Sequence, residues 1–174
     1  MEATGYLRED PSGLELVFER TLTAPVAEVW ASFTTPEGTA AWIGTWAWDE
    51  GQSPPKTAEQ GDAFEGRTVT FTMNAEESAE PEQVTIIDCQ PPHRLQAAFA
   101  SEAGTWHLRV DLHEVDGTTQ LVFAHLLRQG DEIRSIGPGW DYYLDRLVAA
   151  HTGAPMPDWS DYWPDLTEHY LELG

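Results

Sequence analysis

The stretch from Trp106 to Leu127 constrains the fold more than any other. Trp106, Leu108, Val110 and Leu112 alternate with His107, Arg109, Asp111 and His113, the period-two pattern of a strand with one face buried and the other in water. Asp116-Gly117 follows, a dipeptide suited to the positive φ angles of a two-residue hairpin turn, and Thr119 to Leu127 is apolar enough to return beside the first strand. A sheet patterned on one side in this way is antiparallel, and its buried face needs a cover.

The rest of the chain supplies both sheet and cover. Leu14, Leu16 and Phe18 predict a first strand over Leu14 to Thr23, ended by Ala24-Pro25. Pro25 suits a first helical position, and Val26, Val29, Trp30 and Phe33 then recur at helical spacing. Thr35 as N-cap with Pro36 behind it starts a second short helix, which runs through Trp42-Ile43 to Gly44. Trp46 and Trp48 alternate before a polar loop from Glu50 to Gly61, and Phe64 to Met73 is predicted as a long strand. Glu76, Glu77, Glu80 and Glu82 mark an exposed turn. Val84 to Cys89 and Leu95 to Phe99 are strands joined through Gln90-Pro91-Pro92-His93. Past a turn at Gly137-Pro138-Gly139 the period changes to 3.6: Trp140, Tyr143, Leu144, Leu147 and Ala150 share one helical face, with Asp141 and Asp145 on the wet side. Gly153 and Pro155 end that helix, and the tail's Trp159, Tyr162, Trp163, Tyr170 and Leu171 are expected to pack back on the domain.

Composition removes several function classes. With 30 Asp and Glu against 9 Lys and Arg the formal charge is -21, and Lys56 is the sole lysine. A binder of nucleic-acid backbone or anionic membrane needs a basic patch, so neither is an expected partner. At 41% hydrophobic residues and eight Trp, 174 residues suffice for one folded domain with its own core. The lone Cys89 excludes an intramolecular disulfide and a cysteine zinc site, and its apolar run predicts a packed thiol. The amino terminus lacks a signal peptide's regions and no apolar run is long enough to span a bilayer, so a cytoplasmic location is expected. The six histidines contain no His-x-x-x-His. Asp158, Asp161 and Asp165 lack the pattern of a calcium loop, and neither Ser135 nor Ser160 lies in a nucleophile elbow. No catalytic motif, metal site or cofactor is predicted.

Five segments taken in order carry a resemblance. Leu22-Thr-Ala-Pro-Val-Ala-Glu-Val-Trp30, Pro36 to Trp42, Gln90-Pro-Pro-His-Arg-Leu95, Gly117-Thr-Thr-Gln-Leu121 leading to His125, and Gly139-Trp-Asp-Tyr-Tyr-Leu-Asp-Arg-Leu147 resemble the activator-of-Hsp90-ATPase homologues of the START-like superfamily. The resemblance implies an α+β helix-grip fold: a curved seven-stranded antiparallel sheet, two short helices, and a long C-terminal helix that encloses a cavity. Residues 1–13 are then an N-terminal extension, 14–153 the domain, and 154–174 an aromatic tail packed on it. Members of the superfamily bind lipids, sterols, plant hormones and polyketides, a few catalyse cyclisation or aromatisation, and the eukaryotic namesake stimulates a chaperone's ATPase. Fold alone does not choose among these.

On this reading the concave face carries Trp106, Leu108, Val110 and Leu112 beside Leu121, Phe123 and His125, and the last helix closes it with Trp140, Tyr143, Leu144 and Leu147. Trp30, Phe33, Trp42, Trp46 or Trp48, Phe71 and Phe99 complete a wall suited to an apolar or aromatic ligand, or else an ordinary core. His125, on an apolar strand, needs a hydrogen-bond partner from a neighbour or a ligand. Glu65 and Arg67 share the face of Val69 and Phe71 if that strand is regular, where they orient a ligand or pair with each other. The leading expectation is a hydrophobic small molecule, aromatic or polycyclic, bound or sequestered in the cavity: a lipid, polyketide or other natural product. The alternatives are a protein-interaction module like the co-chaperone, seeking a basic partner, and a cyclase or aromatase with His125 or Tyr143 as acid or base. A protein conferring resistance by trapping a toxic natural product stands between binding and catalysis.

Overall fold

A computed structural model describes residues 2–52, 64–75, 79–101 and 104–174. The chain runs β1 (Tyr6–Asp10), β2 (Gly13–Leu22), α1 (Val26–Thr34), α2 (Pro36–Ala40), β3 (Gly44–Trp48), β4 (Thr68–Met73), β5 (Glu82–Gln90), β6 (Arg94–Ser101), β7 (Gly104–Val115), β8 (Thr118–Leu126), α3 (Ile133–Thr152) and α4 (Thr167–Leu173). The strands form one antiparallel sheet in the order β1-β2-β8-β7-β6-β5-β4-β3. Among the described residues it has eight strands, not seven, because residues 6–10 of the expected extension pair with β2, Tyr6 opposite Val17 and Asp10 opposite Gly13. The predicted loop at 50–61 and the glutamate turn at 76–82 lie partly outside the described residues.

Local chemistry accounts for the element boundaries. Asp116 and Gly117 take φ angles of 51° and 75° and close the β7–β8 hairpin, as that dipeptide demands. Thr35 caps α2 by accepting the Gly38 amide at 3.0 Å, with Pro36 at the first helical position. Pro25 is the residue before α1 rather than its first, and the Val26 amide donates instead to the Glu114 carboxylate from β7 at 2.6 Å. In β5 the pairing slips between Ile86 and Asp88. The extra residue, Ile87, is pushed out to 47% exposure, while Ile86 and Cys89 both face inward.

The long helix starts at Ile133, four residues before the predicted turn. Pro138 lies inside α3, one turn and a half from its start. Gly137 is required by a neighbour, since a Cβ there would sit 2.3 Å from the Tyr170 ring of α4. A small residue and the packing of α4 therefore override two helix breakers. Leu16, Phe18, Val29, Leu121, Leu144 and Leu147 are buried between sheet and helices.

The tail packs on the back of α3, burying Tyr162, Leu166 and Tyr170. There Asp141, expected on a wet face, is only 1% exposed. Arg20, on the inward face of β2, reaches it at 3.1 Å and Asp145 at 2.8 Å. Tyr162 donates to Asp145 at 2.8 Å, Tyr170 donates to Asp141, and the Thr4 amide donates to Asp141 at 3.2 Å. One arginine and two carboxylates thus fasten both termini to α3.

Candidate ligand cavity

The inward side chains leave a cavity of about 340 Å³, within the range of small-molecule sites. Its floor is the sheet: Trp46 and Trp48 of β3, Val69 and Phe71 of β4, Val84, Ile86 and Cys89 of β5, Leu95, Ala97 and Phe99 of β6, Leu108 and Val110 of β7, and Phe123 of β8. Cross-strand pairing holds these in rows, among them Trp48, Val69, Val84 and Phe99, then Ile86, Ala97 and Leu108. Trp30, Ala31, Phe33 and Thr34 of α1, Thr35, and Thr39 of α2 form one wall, and Trp42, Ile43, Phe64, Pro91 and Trp140 complete the enclosure. The rings interlock. Trp46 meets Trp48 edge-on at 5.4 Å, Phe33 meets Trp42 at 5.2 Å, Phe71 meets Phe99 at 5.6 Å, and Trp48 stacks on Phe64 at 6.2 Å.

Of the residues predicted for this face, Trp30, Phe33, Trp42, Trp46, Trp48, Phe71, Phe99, Leu108, Val110, Phe123 and Trp140 line the cavity. The others lie elsewhere, Leu112 and Leu121 in the core. Tyr143, Leu144 and Leu147 are buried in the core, because the cavity sits under α1 and α2 and takes only Trp140 from α3. Trp106 packs outside it, against His125 at 5.0 Å and Trp140 at 6.1 Å. Glu65 and Arg67 are not among the residues that line it. They belong to a turn before β4, in which the Gly66 amide donates to the Ile86 carbonyl and the Ile86 amide to that of Arg67. The sequence reading missed Val84, Ile86, Leu95 and Ala97, plain sheet positions whose alternation alone places them inward.

His125 has the partner its burial requires. The Trp140 indole N–H donates to its Nδ1 at 3.0 Å, so the imidazole proton is on Nε2. Nε2 is buried without a hydrogen bond, 3.8 Å from the Asp131 carboxylate. Burial lowers the His125 pKa to about 4, against a smaller upward pull from Asp131, so the ring is neutral at pH 7. Cys89 is the cavity's one titratable side chain among the described residues, and burial pushes its thiol up to about 11. It is protonated and a poor nucleophile at neutral pH. Among the described residues the seven remaining ring-free floor residues and the helix wall carry no charge, so the side-chain heteroatoms there are indole nitrogens, the thiol and the hydroxyls of Thr34, Thr35 and Thr39.

A nucleophile-like array does occur elsewhere. Ser32 Oγ lies 2.9 Å from His151 Nε2, and His151 Nδ1 is 3.7 Å from Glu28. Neither Ser32 nor His151 lines the cavity, and Ser32 is 9% exposed. The contact reads as a clamp between α1 and the end of α3. No group of three or more His, Cys, Asp or Glu placed to hold a metal ion occurs among the described residues, and none of their helices is long and apolar enough to cross a membrane.

An open antiparallel sheet, a long helix after its last strand and an apolar cavity between sheet and short helices define a helix-grip protein of the START-like superfamily. The chain belongs to the Activator of Hsp90 ATPase homolog 1-like protein family, whose model matches residues 23–152. Among solved structures it resembles CalU16 from Micromonospora echinospora with a TM-score of 0.71 at 23% identity, over 99% of this chain and 96% of that one. The BPP1335 protein of Bordetella parapertussis gives 0.70 at 19% identity, over 99% and 95%. DynU16, a protein in the dynemicin biosynthetic locus, gives 0.62 at 21% identity, over 83% of this chain and 49% of that chain. No curated protein matches the sequence.

Proposed function

We propose that this protein binds and sequesters a neutral, flat, aromatic or polycyclic small molecule in the cavity beneath α1 and α2. The carrying observation is the lining: among the described residues, ten of the 24 that line the cavity are aromatic and none is charged. Burying an apolar ligand there loses no hydration of ionised groups, and rings already held edge-on to one another lose little freedom on contact. A natural-product ligand is in keeping with the fold's likeness to DynU16, a protein in a biosynthetic locus. The lining favours holding over transforming. Proton transfer needs a titratable group within reach of the substrate, and neither His125 nor Tyr143 is on the wall.

The test is binding of a neutral fluorescent arylamine, N-phenyl-1-naphthylamine, followed by a panel of fused-ring natural products and lipids. A true ligand at about 100 times its Kd stabilises the native state by about 2.7 kcal/mol, which raises Tm by roughly 5–10 °C for a domain of this size. Ala97, at the centre of the floor between Ile86 and Leu108, gives the control. Ala97→Phe fills space without emptying the core, so affinity is expected to fall at least tenfold with Tm of the free protein nearly unchanged. If no compound in the panel raises Tm, or if Ala97→Phe binds as the parent does, the reading is wrong.

A further inference from the structure

Trp140 has two attachments that compete for one histidine state. Its indole is the single contribution of α3 to the cavity wall, packed on Phe123 at a centroid distance of 4.5 Å. Its N–H is spent on His125 Nδ1 at 3.0 Å. An indole nitrogen only donates, so this bond exists only while Nδ1 carries a lone pair. The other ring nitrogen, fully buried, has no hydrogen-bond partner and faces the Asp131 carboxylate 3.8 Å away, just beyond bonding distance. Asp131 also accepts the Arg128 amide at 2.7 Å, which holds that carboxylate in place in the loop before α3.

We propose that His125 is the positioning residue of the cavity wall: its neutral imidazole holds the Trp140 indole in the ligand-binding arrangement, and protonation transfers the imidazole to Asp131 and frees the indole, so that bound ligand is released on acidification. The release half rests on the reading of the cavity as a ligand site; the positioning half does not. A protonated Nδ1 and the indole N–H are two donors face to face, while Nε2 gains an anion by moving less than about 1 Å toward normal hydrogen-bond distance. The groups that bear on the imidazole's charge are few. Asp131 faces it from the loop before α3, and His107 of β7 repels its charged form. Leu16 of β2 and Leu108 of β7 flank it in the sheet, Trp106 covers a ring face, and Trp140 comes from α3; none of these titrates in the acid range.

Two measurements on the intact chain test this. In the ligand-free protein, nitrogen-15 spectra are expected to show His125 as the Nε2–H tautomer at pH 7, and the Trp140 indole N–H resonance to shift with the same midpoint as the His125 ring. A Trp140 resonance that ignores His125, or a protein that unfolds before either moves, overturns the positioning role. Second, the Kd for N-phenyl-1-naphthylamine is expected to stay flat from pH 8 to 6, double at the His125 midpoint and rise about tenfold one pH unit below it, as the competent fraction falls. His125→Asn keeps an acceptor near the Nδ1 position that does not titrate, so whatever its Kd at pH 7, that Kd should not rise on acidification through the parent's His125 midpoint. Identical pH profiles for parent and His125→Asn overturn the release mechanism. If the probe binds at no pH while Trp140 still titrates with His125, the ligand reading fails and the positioning role stands.

Discussion

Arg20→Met is expected to lower the unfolding free energy by about 3–5 kcal/mol, the cost of leaving a buried carboxylate without its cation. Among the described residues Arg20 is the one positive charge on Asp141, whose side chain is 1% exposed, and it also grips Asp145. Methionine fills much of the same volume, so the loss reports the missing charge rather than a hole. Removing the stranded charge as well, in Arg20→Met/Asp141→Asn, should restore part of the stability, because the two sites share one network and their effects do not add. Urea midpoints of the parent, both single variants and the double variant measure this. A double variant as unstable as the sum of the singles would mean the two side chains act independently. Amide exchange in α4 is expected to accelerate in Arg20→Met, since Tyr170 and Tyr162 lose the anchored carboxylates to which their hydroxyls donate.

Acid should weaken the fold through His125. Its pKa is near 4 in the native protein against an ordinary 6.5, so between those values the unfolded chain binds a proton that the native state refuses. Stability therefore rises with pH through this window, is complete above about pH 6.5 and is lost as the pH falls toward 4, by about 3 kcal/mol. The quantity to compare is the difference between parent and His125→Asn, since carboxylates elsewhere also titrate as pH drops. Parallel stability curves for the two proteins would show that the buried imidazole carries no such linkage.

Much of the fold was legible because it follows from short-range rules. The alternation in β7, the Asp116-Gly117 turn, the Thr35-Pro36 cap and the apolar stripe of α3 each depend on residues near in sequence. What escaped depends on distant partners. β1 is short and polar and is a strand only because β2 offers it an edge. Asp141 looks like a solvated helix residue until Arg20, Tyr170 and Thr4 arrive from three other segments. The site was half legible for a related reason. Inward alternation finds floor residues, but a helix buries a stripe over 100° wide, and nothing in its period says that Trp140 meets the cavity while Leu144 and Leu147 meet solid core. A regular strand through Glu65 is broken by a glycine: Gly66, with φ of 74°, turns the chain there.

The strand order carries a kinetic consequence. β3 to β8 follow one another along the sheet, each pairing with its neighbour in sequence, whereas β2 pairs with β8, so that Phe18 meets Phe123 across most of the chain. Contacts between near neighbours form first, and closing a loop of that length is slow. During synthesis the amino-terminal hairpin has no place to dock until the last strand has emerged. The meander from β3 to β8 is then expected to fold first, with Arg20 of β2 clasping α3 only after β2 has docked on β8.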